Sequence, residues 1–108
     1  MTLAADLPQL VTDALQRSDR ALTSSEIGAR LRRPRTEIEE ALDALSRDPQ
    51  FVVREWPMED PHFGMDRIVV AARVDPAAGD AAVAAGEARC QQVYDDILRD
   101  FLASHRCV

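Results

Sequence analysis

The sequence predicts an α+β, mostly helical fold, because three helical segments surround one pair of β-strands. Apolar residues recur three and four positions apart in residues 3–18, 21–47 and 87–104, which is the spacing of one helix face. Residues 51–56 and 67–74 are short runs rich in valine and isoleucine, as β-strands are. The middle segment contains a proline turn, so the predicted order is one helix, two connected helices, a hairpin and a final helix.

The first helix is predicted over residues 3–18. Pro8 fits best in a first helical turn, so the regular part should begin near residue 7 with Asp6 as its N-cap. Ser18-Asp19-Arg20 ends this helix. The next two residues, Ala21 and Leu22, are predicted to form a short strand that joins the sheet of the hairpin.

The second helix starts with a predicted capping box, since Thr23 is followed three positions later by Glu26. Arg32-Arg33-Pro34 forms the turn to the third helix, and Asp48-Pro49 ends that helix because the residue before proline is pushed out of the α region. The apolar stripe of the third helix consists of Ile38, Ala41, Leu42 and Leu45.

This stripe turns three carboxylates of the third helix, Glu39, Glu40 and Asp43, towards the outside. The i, i+4 spacing predicts that Arg35 pairs with Glu39 and that Asp43 pairs with Arg47.

A hairpin with a ten-residue connection is predicted from residue 51 to residue 74, and Trp56 should anchor packing at the end of its first strand. Arg67 and His62 could contact a partner from this hairpin. The acidic residues around them, Glu59, Asp60 and Asp66, oppose a basic tip.

Residues 75–86 are alanine-rich and form either a linker or the first turns of the last helix, with Asp80 as its cap. Gly86 costs about 1 kcal/mol inside a helix, so the start of that helix stays open. Its broad apolar stripe either packs back on the first helix or forms a two-fold dimer interface, and we expect the dimer. The residues of that interface would be Val93, Tyr94, Ile97, Leu98, Phe101 and Leu102.

The order of elements and the core positions Ile27, Leu31, Ile38, Leu42 and Leu45 resemble the winged helix-turn-helix superfamily, notably small bacterial transcription regulators. The resemblance covers about residues 7–74. It implies that residues 1–75 form a winged helix-turn-helix domain with a β-hairpin wing. Residues 76–108 then add a C-terminal helix, a dimerisation element of the same single domain.

With the dimer expected from the last helix, the resemblance implies a homodimeric regulator that reads double-stranded DNA with the N-terminus of helix 34–47. A chain without a membrane span or a secretory signal is expected to be cytoplasmic. Arginine there can bond guanine bidentately or hold a phosphate, and glutamate can accept from cytosine. The expected contacts are Arg30, Arg32, Arg33, Arg35, Thr36, Glu39 and Arg67.

The charge pattern supports a second function class. The net charge is −6, and residues 20–55 hold seven arginines and seven acidic residues, so weak non-specific DNA binding is expected. A protein-interaction module is therefore the alternative, with the acidic helix face or the terminal helix as its contact surface.

Other function classes find no support in the sequence. His62 and His105 have no partner at metal-binding spacing, and there is no glycine-rich phosphate loop or GxSxG motif, so we expect neither an enzyme nor a cofactor. No apolar run reaches about 18 residues, and the N-terminus lacks the basic region of a secretory signal. Cys90 is expected in the core, whereas Cys107 is either a free thiol or an intermolecular redox bridge.

Overall fold

The computed structural model describes residues 3–60 and 64–104, and within them the fold is α+β and mostly helical. The elements in chain order are α1 (Leu3–Arg17), β1 (Leu22–Thr23), α2 (Ser24–Leu31), α3 (Arg35–Leu45), β2 (Phe51–Asp60), β3 (Gly64–Arg73), a 3₁₀ turn (Pro76–Ala78) and α4 (Asp80–Ser104).

The three strands form an antiparallel sheet in the order β1-β3-β2. The short strand β1 pairs Leu22 with Ala71, which confirms the strand predicted before the second helix. Both hairpin strands extend further than the sequence predicted, and β2 continues through Pro57 opposite Arg67. Proline is tolerated there because β2 is an edge strand, where a missing N–H breaks no ladder bond.

The first helix begins at Leu3 rather than near residue 7 and runs through Pro8. Asp6 therefore lies inside the helix and not at its N-cap. Proline has no N–H for the bond to the carbonyl four residues earlier. The Thr12 hydroxyl donates to the Pro8 carbonyl at 2.8 Å, one turn further on.

The helices α1, α2 and α3 cover one face of the sheet. Ile27, Ile38 and Leu42 are fully buried there against Val69 of β3 and Val11 of α1. The capping box of α2 is confirmed, since Thr23 Oγ1 accepts from the Glu26 N–H and Glu26 Oε1 accepts from the Thr23 N–H, both at 3.1 Å.

The last helix, α4, covers the face of the sheet opposite to α1, α2 and α3. It therefore packs mainly on the sheet, and neither packs mainly on α1 nor stands apart from the domain. Val52, Val70, Ala72 and Val74 form that face and contact Cys90 and Val93 of α4.

Gly86 lies inside α4 at its closest approach to the sheet. A Cβ at this position would lie 2.5 Å from Val74 Cγ1 and 3.0 Å from Val52 Cγ2. Glycine at this position allows α4 to lie close to Val52 and Val74, where a larger residue would collide. The helix therefore includes Gly86 and begins upstream of it, at Asp80.

Two further predictions about packing hold. Cys90 is fully buried, and its thiol lies 3.8 Å from the Val70 carbonyl and 3.9 Å from the Val52 carbonyl. Trp56 stacks on Tyr94 with ring centroids 4.6 Å apart, which joins the hairpin to α4. The predictions for His62, His105 and Cys107 lie outside the described residues. None of the helices in the described part of the chain combines the length and hydropathy of a membrane span.

Candidate nucleic-acid interface

The turn between α2 and α3 is tight because two backbone donors converge on one carbonyl. Arg32 adopts a left-handed conformation at φ 56°, and its N–H bonds to the Gly28 carbonyl. The Arg33 N–H also bonds to that carbonyl, at 3.0 Å. A Cβ on Gly28 would lie 2.8 Å from the Arg33 carbonyl oxygen, so only glycine permits this approach without a backbone shift.

This turn presents two arginines to solvent. Arg30 and Arg32 are exposed, and neither forms an ion pair with any residue that the structure describes. Arg33 is more enclosed: its side chain is 21% exposed, its Nη2 lies 3.7 Å from Glu37, and its Nε is buried without a partner. The turn therefore supplies two free guanidinium groups beside the N-terminus of α3.

Arg35, at the start of α3, is held by the hairpin. Its Nη1 and Nη2 donate to Asp66 Oδ2 and Oδ1 at 2.7 and 3.0 Å, which is a bidentate pair. The hydrogen bond from Arg35 lowers the pKa of Asp66, and the Arg67 N–H lowers it further. The same bond to Asp66 raises the pKa of Arg35. Both groups therefore stay charged and paired near neutral pH.

Glu39 is buried, so the expectation that it faces outward is wrong. Its side chain is 7% exposed, and its carboxylate lies 3.2 Å from Arg67 Nε and 3.8 Å from Arg35 Nε. Arg67 also donates to Glu55 Oε1 at 3.2 Å, and this hydrogen bond raises the pKa of Arg67. We call Arg35, Glu39, Glu55, Asp66 and Arg67 the ion-pair network, because they connect α3 with both hairpin strands.

The pairs predicted from i, i+4 spacing both form, Arg35 with Glu39 at 3.8 Å and Arg47 with Asp43 at 3.9 Å. Asp66 stands 31 residues from Arg35, so no local spacing in the sequence indicates their pairing.

A cleft of about 680 Å³ separates α3 from the hairpin, and Thr36 lines it. Its charged lining consists of Glu39, Glu40, Asp43, Glu55, Arg54 and Arg67. Carboxylates outnumber guanidinium groups there, so we call it the acidic cleft. Like charges repel, so this lining would oppose a phosphate backbone.

The six residues predicted for a dimer interface divide into two groups. Val93 is buried, Tyr94 stacks on Trp56, and Ile97 packs against the apolar side chains between the sheet and α4. Leu98 and Phe101 are partly exposed, and Leu102 is 56% exposed. Of these six residues, only those in the last turns of α4 present apolar surface beyond the domain.

Comparison with protein-family models and with curated protein sequences found no match to this chain.

Proposed function

We propose that this chain is a winged helix-turn-helix protein that binds double-stranded DNA, and that it acts as a transcriptional regulator. The observation that carries the proposal is the pair of exposed, unpaired arginines, Arg30 and Arg32, at the α2–α3 turn. The antiparallel order β1-β3-β2 and the placement of a hairpin beside α3 are consistent with the winged architecture.

The proposed contact is restricted to one end of α3. Arg30 and Arg32 reach phosphates or base edges, and the partial positive charge at the N-terminus of α3 adds to the attraction. The acidic cleft keeps the rest of α3 away from the duplex. Binding then depends on few phosphate contacts, so its affinity is modest and its sequence preference comes from the turn.

The functional unit in this proposal is a homodimer joined through the ends of α4. The apolar surface at the C-terminal end of α4 is centred on Leu102, with Leu98 beside it, and two copies related by a two-fold axis would cover it. Sedimentation of the protein measures its mass directly.

Fluorescence anisotropy with a labelled pool of short duplexes tests DNA binding, and sequencing of the retained duplexes then identifies the site. Replacing Arg30 and Arg32 together with alanine should weaken binding by about tenfold or more, since each removes a charged hydrogen-bond donor. The matched control replaces Arg47 and Arg99, which form exposed pairs on their own helices, and it changes the net charge equally.

The salt dependence tests the stoichiometry. With two arginines per subunit at phosphates, log K against log salt should have a slope of about −2 for a monomer and about −4 for a dimer. Equal loss in the turn variant and in the control would contradict the proposed contact. No retention of duplexes at about 50 mM salt would contradict DNA binding altogether.

The acidic cleft favours a second candidate, a protein-interaction module that takes a basic segment of another protein. Glu40 and Asp43 are exposed on its wall. Calorimetric titration with an arginine-rich peptide, compared between the native chain and an E40Q/D43N variant, separates the two functions. The variant should lose peptide binding under the second proposal and gain DNA affinity under the first.

A further inference from the structure

A second cleft lies at the opposite end of the hairpin from the ion-pair network. It opens where the ends of α1 and β3 meet α4, and it has a volume of about 370 Å³. We call it the base cleft; its lining is Leu15, Gln16, Ser18, Arg20, Ala72, Arg73, Val74, Asp75, Pro76 and Arg89. Clefts of this size hold small molecules in many proteins, since ligand pockets usually measure about 300 to 1,000 Å³.

The base cleft is basic in a protein whose net charge is −6. Three arginines from three segments line it, against one carboxylate, that of Asp75. The Asp75 carboxylate already accepts from the Ala77 N–H at 2.9 Å. Arg20 pairs with Glu26, whereas Arg73 and Arg89 form no ion pair with any carboxylate in the described residues.

The hydrogen bonds of these arginines leave donors unused. Arg73 Nε is buried and has no partner, and Arg73 Nη2 lies at the outer limit of a hydrogen bond, 3.5 Å from Gln50 Oε1. Arg89 Nη2 donates to the Arg73 carbonyl at 3.2 Å, which brings Arg89 against the strand that carries Arg73. Arg73 Nη1 and the other two guanidinium nitrogens of Arg89 have no acceptor among the described residues, and an anion in the cleft would supply acceptor oxygens to them.

From this arrangement we infer that the base cleft binds a small oxyanion, a phosphate monoester held by Arg73 and Arg89 with Arg20 at the rim. Guanidinium groups match the geometry of phosphate oxygens, so two arginines can hold one phosphate group from two sides. The Leu15, Ala72 and Val74 side chains offer apolar surface to the rest of such a ligand. This site is independent of the proposed DNA contact, because that contact uses Arg30 and Arg32, which do not line the base cleft.

Calorimetric titration with inorganic phosphate and with AMP tests the site. We expect saturable binding of AMP with a dissociation constant below about 1 mM, and displacement of AMP by phosphate. Arg73→Gln and Arg89→Gln should each weaken binding by about tenfold or more. Arg47→Gln is the matched control, since Arg47 is an exposed arginine on α3, and it should bind as the native protein does.

Three outcomes would overturn the inference. One is the absence of saturable binding by either probe, and another is native affinity in both Arg73→Gln and Arg89→Gln when thermal unfolding shows that they are folded. The third concerns the source of the phosphate. In the Arg30/Arg32 alanine variant, which leaves the base cleft intact, displacement of AMP by a short duplex would assign the cleft to the DNA backbone instead of a free ester.

Discussion

The ion-pair network and the base cleft both place arginines beside β3, around Arg67 in the network and around Arg73 in the cleft, with opposite results. In the ion-pair network Arg35 and Arg67 each contact two carboxylates. In the base cleft Arg73 and Arg89 contact none among the described residues. The number of arginines in a segment therefore says little about how many of them are free to bind a partner. The carboxylates that the fold brings within reach decide whether a guanidinium can bind a partner.

The largest effect is expected at the turn that carries the free arginines. Gly28→Ala places a Cβ against the Arg33 carbonyl oxygen, which belongs to the backbone and can yield only if the turn moves. Alanine favours the helix by about 1 kcal/mol, but the overpacking should exceed this gain and leave a net loss of about 2 kcal/mol. Chemical denaturation measures the free energy of unfolding.

Gly79→Ala serves as the control for the turn variant. Gly79 has φ 65° and ψ −144°, a backbone region that essentially only glycine occupies, and nothing lies within 4 Å of an added Cβ. Alanine there should cost about 1 to 3 kcal/mol of stability through backbone strain alone and leave DNA binding unchanged. If Gly28→Ala is as stable as the native protein and binds DNA equally, the turn is not fixed by that close contact.

The second prediction concerns how the stability of the protein depends on pH through Cys90, on the sheet face next to the base cleft. Burial raises the pKa of the Cys90 thiol to about 11, while the nearby Arg54 and Arg89 oppose the shift. The folded protein keeps this proton where the unfolded chain has lost it. The stabilisation is therefore fully present below about pH 9 and falls by about 2 kcal/mol as pH rises to about 11.

Denaturation of the native protein and of Cys90→Ala across this pH range isolates the contribution. The difference in unfolding free energy between the two should change over the window from pH 9 to pH 11. Arg89→Gln should raise the pKa of Cys90 in the folded protein, because it removes a positive charge that favours the thiolate. A constant difference across the window would show that Cys90 titrates as in the unfolded chain.

The smallest effect on stability is expected from opening the ion-pair network. Asp66→Asn removes the carboxylate that binds Arg35, and because both side chains are near 40% exposed the loss should stay below about 1 kcal/mol. DNA affinity should rise several-fold, since Arg35 then loses its bidentate partner and keeps only the longer contact to Glu39, at 3.8 Å.

Asp95→Asn gives the same change in net charge on α4, where Asp95 accepts a hydrogen bond from Gln91 and forms no ion pair with the residues that the structure describes. Its gain in DNA affinity should be smaller than that of Asp66→Asn. Fluorescence anisotropy, measured side by side, compares the DNA affinities of the two variants. Equal gains would show that the rise in DNA affinity comes from net charge alone.

Much of the fold could be predicted from interactions between residues that are close in sequence. The capping box of Thr23 and Glu26, the pairs of α3 and the existence of the hairpin all depend on residues close in sequence, and all are present. The end of β2 was misplaced because Pro57 looks like a strand terminator until the strand is known to lie at an edge.

The position of α4 and the burial of Glu39 depend on tertiary contacts. One signal for α4 was present in the sequence: the runs 51–53 and 68–72 are apolar at successive positions, which indicates a sheet covered on both faces. No comparable signal joins Arg35 to Asp66 or gathers Arg20, Arg73 and Arg89 into one cleft. These residues meet only through the strand register and the packing of α4.

The left-handed residue between α2 and α3 bears on how this protein can change over time. At φ 56° glycine or asparagine is favoured, and an arginine there costs about 1 kcal/mol relative to glycine. Glycine or asparagine would be less strained at this position, so Arg32 should be replaced over time unless selection retains its guanidinium group. An Arg32→Gly substitution should therefore raise the free energy of unfolding and, at the same time, remove a contact to the partner.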